Sequence, residues 1–193
     1  MRNALRPPIP YYGGKITIGP TIAGLLPAHT HYVEPFCGSL AVLLAKPASA
    51  HETVNDLDQD LVNFWRVLRE QPDELARICA LTPHSRAEWE ACADFDGAPT
   101  DLERARRVWV RLTQGRSGRL RRMGWRHYVD PAGCSVGMPG YLDGYVDRMA
   151  PAVERLKNVS LECRPALEVI RKYGARPEVL LYVDPPYLGS TRA

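Results

Sequence analysis

Leu180-Leu181-Tyr182-Val183-Asp184-Pro185-Pro186-Tyr187 is the stretch on which the reading of this chain turns. An apolar run ahead of an acid reads as a buried strand of a parallel sheet. Two prolines then end it, because neither can donate to a ladder and both fix φ. The result is a carboxylate (Asp184), a stiff turn with exposed carbonyls and an aromatic ring (Tyr187) at the carboxyl end of a strand. Open α/β sheets bind their ligands there. Such a corner suits the presentation of a planar exocyclic amine, whose lone pair is delocalised and poorly nucleophilic. Asp184 can accept one N–H and the Pro185 carbonyl the other, which favours a tetrahedral nitrogen, while Tyr187 stacks on the ring. This is positioning plus electrostatics without a covalent enzyme intermediate. The candidate catalytic residues are Asp184, Pro185, Pro186 and Tyr187. The plainer alternative is a strand end closed by a diproline turn with a surface tyrosine.

The strand 178–183 is preceded by a helix over 166–173 ended by Gly174, a third strand over 158–162 and a helix over 141–156. Nearer the N-terminus, His31 to Glu34 reads as a strand, followed by a turn through Gly38 and a buried helix that stops before Pro47. A strand, a glycine turn and a helix in succession open a nucleotide-binding α/β fold. The usual second glycine is missing, because Leu40 stands there. About 20 residues on, 52–56 reads as a second strand ending in an acid. In dinucleotide folds such an acid accepts hydrogen bonds from ribose hydroxyls. Asp56 is assigned to the ligand and Asp58 to capping the helix over 59–70, which carries Leu61, Phe64, Trp65 and Leu68 on one stripe.

Tyr11-Tyr12-Gly13-Gly14-Lys15 forms a tight turn between aromatics and a lysine. Lys15 is placed to meet a carboxylate and Tyr11 to cover an apolar ring. The phosphate-binding pattern G-x-x-x-x-G-K-[ST] is absent. A short helix over 16–26 follows, with Pro20 allowing only a partial first turn.

The chain has 193 residues and 45% apolar content, which suits one soluble domain with an insertion. No apolar run reaches membrane-span length and the N-terminus lacks a signal-peptide core, so a cytoplasmic protein is expected. Five scattered cysteines without a C-x-x-C pair argue against a disulfide framework and a zinc site. Residues 72–114 read as all-helical, with capping boxes at Ser85/Glu88 and Thr100/Glu103. Leu75, Ile78, Leu81, Trp89, Val108, Trp109 and Leu112 are expected to form the small core of a separate lobe.

The net charge of +3 hides an asymmetry. Between Arg104 and Val129 stand nine arginines and no acid; without them 16 basic residues face 22 acidic ones. An acidic body with one basic segment points to a polyanion met at one place. Arg116, Arg119, Arg121, Arg122 and Arg126 are candidate phosphate or guanine contacts, and Trp125 a residue that stacks or wedges between bases.

In this order the stretches resemble the Dam-type family of adenine-specific DNA methyltransferases: Tyr11-Tyr12-Gly13-Gly14-Lys15, then Val33-Glu34-Pro35-Phe36-Cys37-Gly38-Ser39, Asn55-Asp56-Leu57, an insertion, and Asp184 to Tyr187. The resemblance implies a Rossmann-like α/β sheet, S-adenosylmethionine as cofactor, double-stranded DNA as partner and methyl transfer to N6 of a flipped adenine. It places Tyr11, Lys15, Glu34, Gly38, Asp56 and Asp184 at the cofactor, with Glu34 and Gly38 shaping the turn over its methionine part. Residues 1–71 and 141–193 would form the catalytic domain and 72–140 the target-recognition insertion.

This chain departs from the family in three places. Leu40 replaces a glycine of the cofactor turn, which tightens or shifts that turn. Arg164-Pro165 stands where an acid near the cofactor's adenine is common. Family members continue with three more strands after the Asp-Pro-Pro-Tyr motif. The sheet is therefore expected to be incomplete, with its fourth strand at an exposed apolar edge, and the chain to be a gene fragment, a truncated form, or half of a split enzyme whose C-terminal segment is supplied separately. Two other functions fit the same residues: a non-catalytic relative that grips DNA or cofactor, and a methyltransferase acting on cytosine N4 or an RNA base.

Overall fold

The computed structural model describes residues 4–121, 123–127 and 137–186. Tyr187 and Arg122 lie outside the described residues. The short apolar runs become strands: β1 (His31–Glu34), β2 (His51–Asn55), β3 (Val159–Glu162) and β4 (Val179–Leu181). All pair in parallel, in the order β3-β2-β1-β4. The helices are α1 (Gly19–Leu25), α2 (Ala41–Ala45), α3 (Gln59–Glu70), α4 (Pro72–Ala80), α5 (Arg86–Ala91), α6 (Asp101–Gln114), α7 (Gly137–Val146), α8 (Met149–Leu156) and α9 (Ala166–Tyr173). The architecture is a Rossmann-like α/β sheet with added helices. No helix among the described residues is long and apolar enough to cross a membrane.

Strand order places the site. From β1 the chain passes through α2 to β2 on one side, whereas α9 carries it from β3 back across the sheet to β4 on the other. The order therefore reverses between β1 and β4. A crevice opens at the carboxyl ends of two strands whose connections diverge, which is where such sheets hold ligands.

Local signals set most boundaries. Asp58 caps α3, its carboxylate accepting from the N–H groups of Asp60 and Leu61. Ser85 and Thr100 cap α5 and α6 by accepting from Glu88 N–H and Glu103 N–H. Three expectations change. The first helix begins only at Gly19, because Pro20 fits its first turn and no earlier position. The helix expected over 141–156 divides into α7 and α8, since Pro151 brings no N–H to continue the ladder from α7. The fourth strand covers only Val179–Leu181 instead of 178–183, and it is half-buried because it lies at an edge of the described four-stranded sheet, where it was expected.

Helices α4 to α6 do not form a core of their own. α6 packs along α3, and one cluster of buried side chains runs from Tyr32 and Val54 through Phe64 and Trp65 to Leu75, Trp109 and Met149. Arg104 reaches Asp60 at 2.5 Å, and Arg66 reaches Asp101 at 2.7 Å. Leu81, expected inside, is 71% exposed, because the chain leaves α4 there.

Candidate active site

The loops that follow β1, β2 and β4 close around a cavity of about 230 Å³. Its floor is the turn after β1. Gly38 has φ +47, and a Cβ there would lie 3.0 Å from the Tyr11 ring, so only glycine lets that ring rest on the turn. Leu40 adopts the left-handed geometry itself, at φ 57 and ψ 29. This backbone costs a non-glycine residue roughly 1–2 kcal/mol. The Leu40 side chain is fully buried, which offsets that cost by about 1.5–3 kcal/mol. The turn thus keeps a glycine-like shape without the second glycine.

Two buried side chains hold the floor from below. Trp65 Nε1 donates to the Gly38 carbonyl at 3.1 Å. Glu34 accepts from the Tyr32 hydroxyl at 2.5 Å and from Leu43 N–H at 3.0 Å. Glu34 is 2% exposed, so it acts mainly as a brace between β1 and α2 and only borders the cavity. Burial pushes its carboxyl up to about 7, against the two donors that favour the charged form. The folded state therefore prefers protonated Glu34. That contribution is fully present below its ordinary value of 4.5 and is lost as pH rises through about 7. Compared with Glu34→Gln, which keeps an acceptor and no charge, the wild type is expected to lose melting temperature across that window. Parallel profiles for the two proteins would assign the effect to another group.

The wall beyond the floor comes from β2. Asp56 accepts from Gly38 N–H at 3.1 Å with one carboxylate oxygen and from Asp58 N–H at 3.1 Å with the other. Burial raises its pKa, with these two N–H groups acting in the opposite direction. Asn55 stitches three loops together. Its amide donates to the Pro35 and Arg164 carbonyls at 2.9 and 3.0 Å, and its oxygen accepts from Arg164 N–H at 2.9 Å. The Asn-Asp pair thus divides its work: Asn55 fixes the backbone and Asp56 faces the cavity.

The opposite wall joins the two ends of the chain. Lys15 Nζ donates to Asp184 Oδ2 at 2.5 Å and to the Gly13 carbonyl at 2.8 Å. Pro185 and Pro186 line the same cavity. Residues read from sequence as catalytic or cofactor-binding (Tyr11, Lys15, Glu34, Gly38, Asp56, Asp184, Pro185 and Pro186) therefore border one space. Tyr187 falls outside the described residues.

Ser39 was not singled out by the sequence reading. Its hydroxyl is buried beside the cavity without a hydrogen-bond partner among the described residues. Its place next to Gly38 was the available signal. Leu57 and Ala166 also line the mouth. Short apolar side chains after strands gave no such signal.

The basic segment is less uniform in space than in sequence. On α6, Arg104 pairs with Asp60 and Asp96, Arg106 with Glu88 and Glu103, and Arg107 with Glu103. Arg111 is buried with its guanidinium 3.6 Å from the centre of the Trp89 ring. These four arginines belong to internal packing: acids outside α6 meet Arg104 and Arg106, Glu103 of the same helix meets Arg107, and Arg111 is buried on Trp89. Arg116 is exposed, Arg119 lies 4.0 Å over Tyr12, and Arg121 pairs with Asp58 at 2.7 Å and with Asp60. Arg126 donates to the Tyr141 hydroxyl at 2.7 Å. Trp125 is not a bare stacking platform. His84 stacks on it at 4.6 Å and His127 lies at 5.9 Å, so a base would have to displace one of them. Arg122 is outside the described residues.

Residues 11–96 match the family model described as D12 class N6 adenine-specific DNA methyltransferase. A curated relative, the Type II methyltransferase M1.LlaDCHI of Lactococcus lactis subsp. cremoris, is 27% identical over 194 residues, covering 95% of this chain. The chain spans 66% of the length of that relative.

Proposed function

We propose that this chain is a member of the D12 class N6 adenine-specific DNA methyltransferase family, whose model matches residues 11–96, and that it transfers a methyl group from S-adenosylmethionine to N6 of an adenine flipped from double-stranded DNA. One observation carries the reading: Asp184-Pro185-Pro186, the Gly38 turn and Asp56 border one cavity at the switch point of the sheet. Its residues suit the proposed cofactor. Asp56 offers an acceptor for ribose hydroxyls, Tyr11 an aromatic cover, and Ser39 a buried hydroxyl without a partner among the described residues. Lys15 is placed for a carboxylate. When bound, S-adenosylmethionine supplies an electrophilic methyl on a sulfonium.

The protein's part is orientation. Asp184 and the Pro185 carbonyl accept the two N–H bonds of the target amine and localise its lone pair. Asp184 then stands beside the nitrogen to take the proton lost on alkylation. Closing the cavity under Tyr11 excludes water and strengthens these bonds. Lys15 holds Asp184 in place and neutralises it. Residues 1–71 and 141–193 supply this machinery, and 72–140 the recognition insertion. Arg116, Arg119, Arg121 and Arg126 meet the DNA, with Arg121 exchanging Asp58 and Asp60 for phosphate. The relative's designation as a Type II methyltransferase supports a role in modifying restriction sites.

Incubation with duplex DNA and S-adenosylmethionine tritiated in its methyl group tests this. After digestion to nucleosides, label is expected in N6-methyladenine. Label in N4-methylcytosine would redirect the reading to another amine, and absence of label would leave a binding module.

A further inference from the structure

One residue is shared between the proposed donor pocket and the arginine-rich segment. The Tyr11 ring rests on Gly38, the glycine of the cavity floor. The Tyr11 backbone rests on Gly118, in the 3-10 turn Arg116–Gly118 between two of the candidate DNA contacts. Gly118 has φ +60, and a Cβ there would lie 3.2 Å from three backbone atoms of Tyr11. Ser117 beside it is also left-handed, at φ 68. Two consecutive residues in that region form a sharp corner, and the corner points at the pocket wall.

Further bonds fasten this corner. Tyr12 N–H donates to the Gly118 carbonyl at 2.8 Å. The Arg119 guanidinium lies 4.0 Å from the centre of the Tyr12 ring. The base of the loop is held as well. Gly115 bridges Trp125, Arg116 N–H donates to the Gly124 carbonyl at 3.0 Å, and Arg126 N–H donates to the Gln114 carbonyl at 2.7 Å.

We infer that this corner, through Gly118 and Arg119, positions Tyr11 over the donor pocket, so that donor and duplex DNA bind cooperatively. The inference rests on the function proposed above and adds a coupling between its two ligands. A duplex gripped by Arg116 and Arg119 stiffens the hydrogen-bonded corner and with it Tyr11, so the residual freedom of that wall is given up once for both ligands. By linkage the donor strengthens duplex binding by the same factor. Gly118 and Arg119 are positioning residues in this scheme.

The test is calorimetric titration of the full chain with sinefungin, an unreactive analogue of the donor. It is done alone and with a saturating random-sequence duplex at low ionic strength. The duplex is expected to tighten sinefungin binding about fivefold or more, and sinefungin to tighten duplex binding equally. In Gly118→Ala this factor is expected to fall below about twofold. Should the alanine at positive φ unfold the chain, Arg119→Gln, which leaves the backbone corner intact, is expected to show the same loss. A factor near one in the wild type, or a wild-type factor in Arg119→Gln, overturns the coupling and leaves the proposed function standing. Failure of the wild type to bind sinefungin overturns the pocket assignment and the coupling together. Sinefungin binding without duplex binding overturns the DNA assignment and the coupling.

Discussion

Asp184→Ala is expected to lower the rate of methyl transfer by about 10²–10³-fold, the loss typical of removing a preorganised polar group aimed at a reacting atom. Sinefungin binding is expected to change far less. The reason is geometric. Asp184 stands on the edge strand's diproline corner, and Lys15 fixes its Oδ2 at 2.5 Å. Removing the carboxylate leaves the amine with one acceptor, and its lone pair stays delocalised. Asp184→Asn separates two aspects of this role. It keeps the shape and one acceptor, but it cannot take the proton and it turns a donor towards Lys15 or the amine. Its rate is expected to lie nearer that of Asp184→Ala than that of the wild type. Single-turnover rates on duplex DNA, measured beside sinefungin affinity, decide the matter. An Asp184→Ala protein that keeps a tenth of the wild-type rate would remove Asp184 from the chemistry.

Trp65→Ala is expected to cost about 3–5 kcal/mol of folding stability, the usual range for truncating a buried large aromatic side chain. In a chain of this size that lowers the melting midpoint by roughly 2–4 °C per kcal/mol. Trp65 has no exposed surface, meets Phe64 edge-on at 5.1 Å and donates to the Gly38 carbonyl. It therefore ties the α3 core to the cavity floor. Trp65→Phe isolates the second connection, since it keeps most of the apolar bulk and loses the indole N–H. Its stability loss is expected to be smaller, about 1–2 kcal/mol, with sinefungin affinity falling alongside. Urea unfolding and ligand titration on both variants read this out. A loss below about 1 kcal/mol in Trp65→Ala would mean that the floor is held by Glu34 and the Leu40 backbone alone.

Much of the site is readable along the chain because each piece is local. Asp-Pro-Pro cannot extend a strand ladder, because its two prolines have no N–H. Gly38 marks a left-handed turn, and of the two acids after β2 one borders the cavity and the other caps α3. Ser85 and Thr100 announce the helices they cap. The less legible features depend on distant partners. Leu40 does not betray its positive φ, because the burial that offsets the strain comes from side chains elsewhere in the fold. The arginines of α6 read as a basic patch until Asp60 and Asp96 come to meet Arg104 and Glu88 comes to meet Arg106. Trp125 reads as a free ring until His84 stacks on it.

The sequence by itself determined the α/β class, the positions of the strands and caps, and the acids and glycines of the candidate site. These follow from backbone chemistry acting over a few residues: proline without an N–H, glycine without a Cβ, aspartate at a helix start. Only the tertiary structure decided that the fourth strand pairs beside the first, which brings Asp184 to Lys15 across 169 residues. It also set Gly118 against Tyr11, over a hundred positions away. Such pairings depend on which apolar faces bury one another and on the direction of each crossover, and neither is encoded in local spacing.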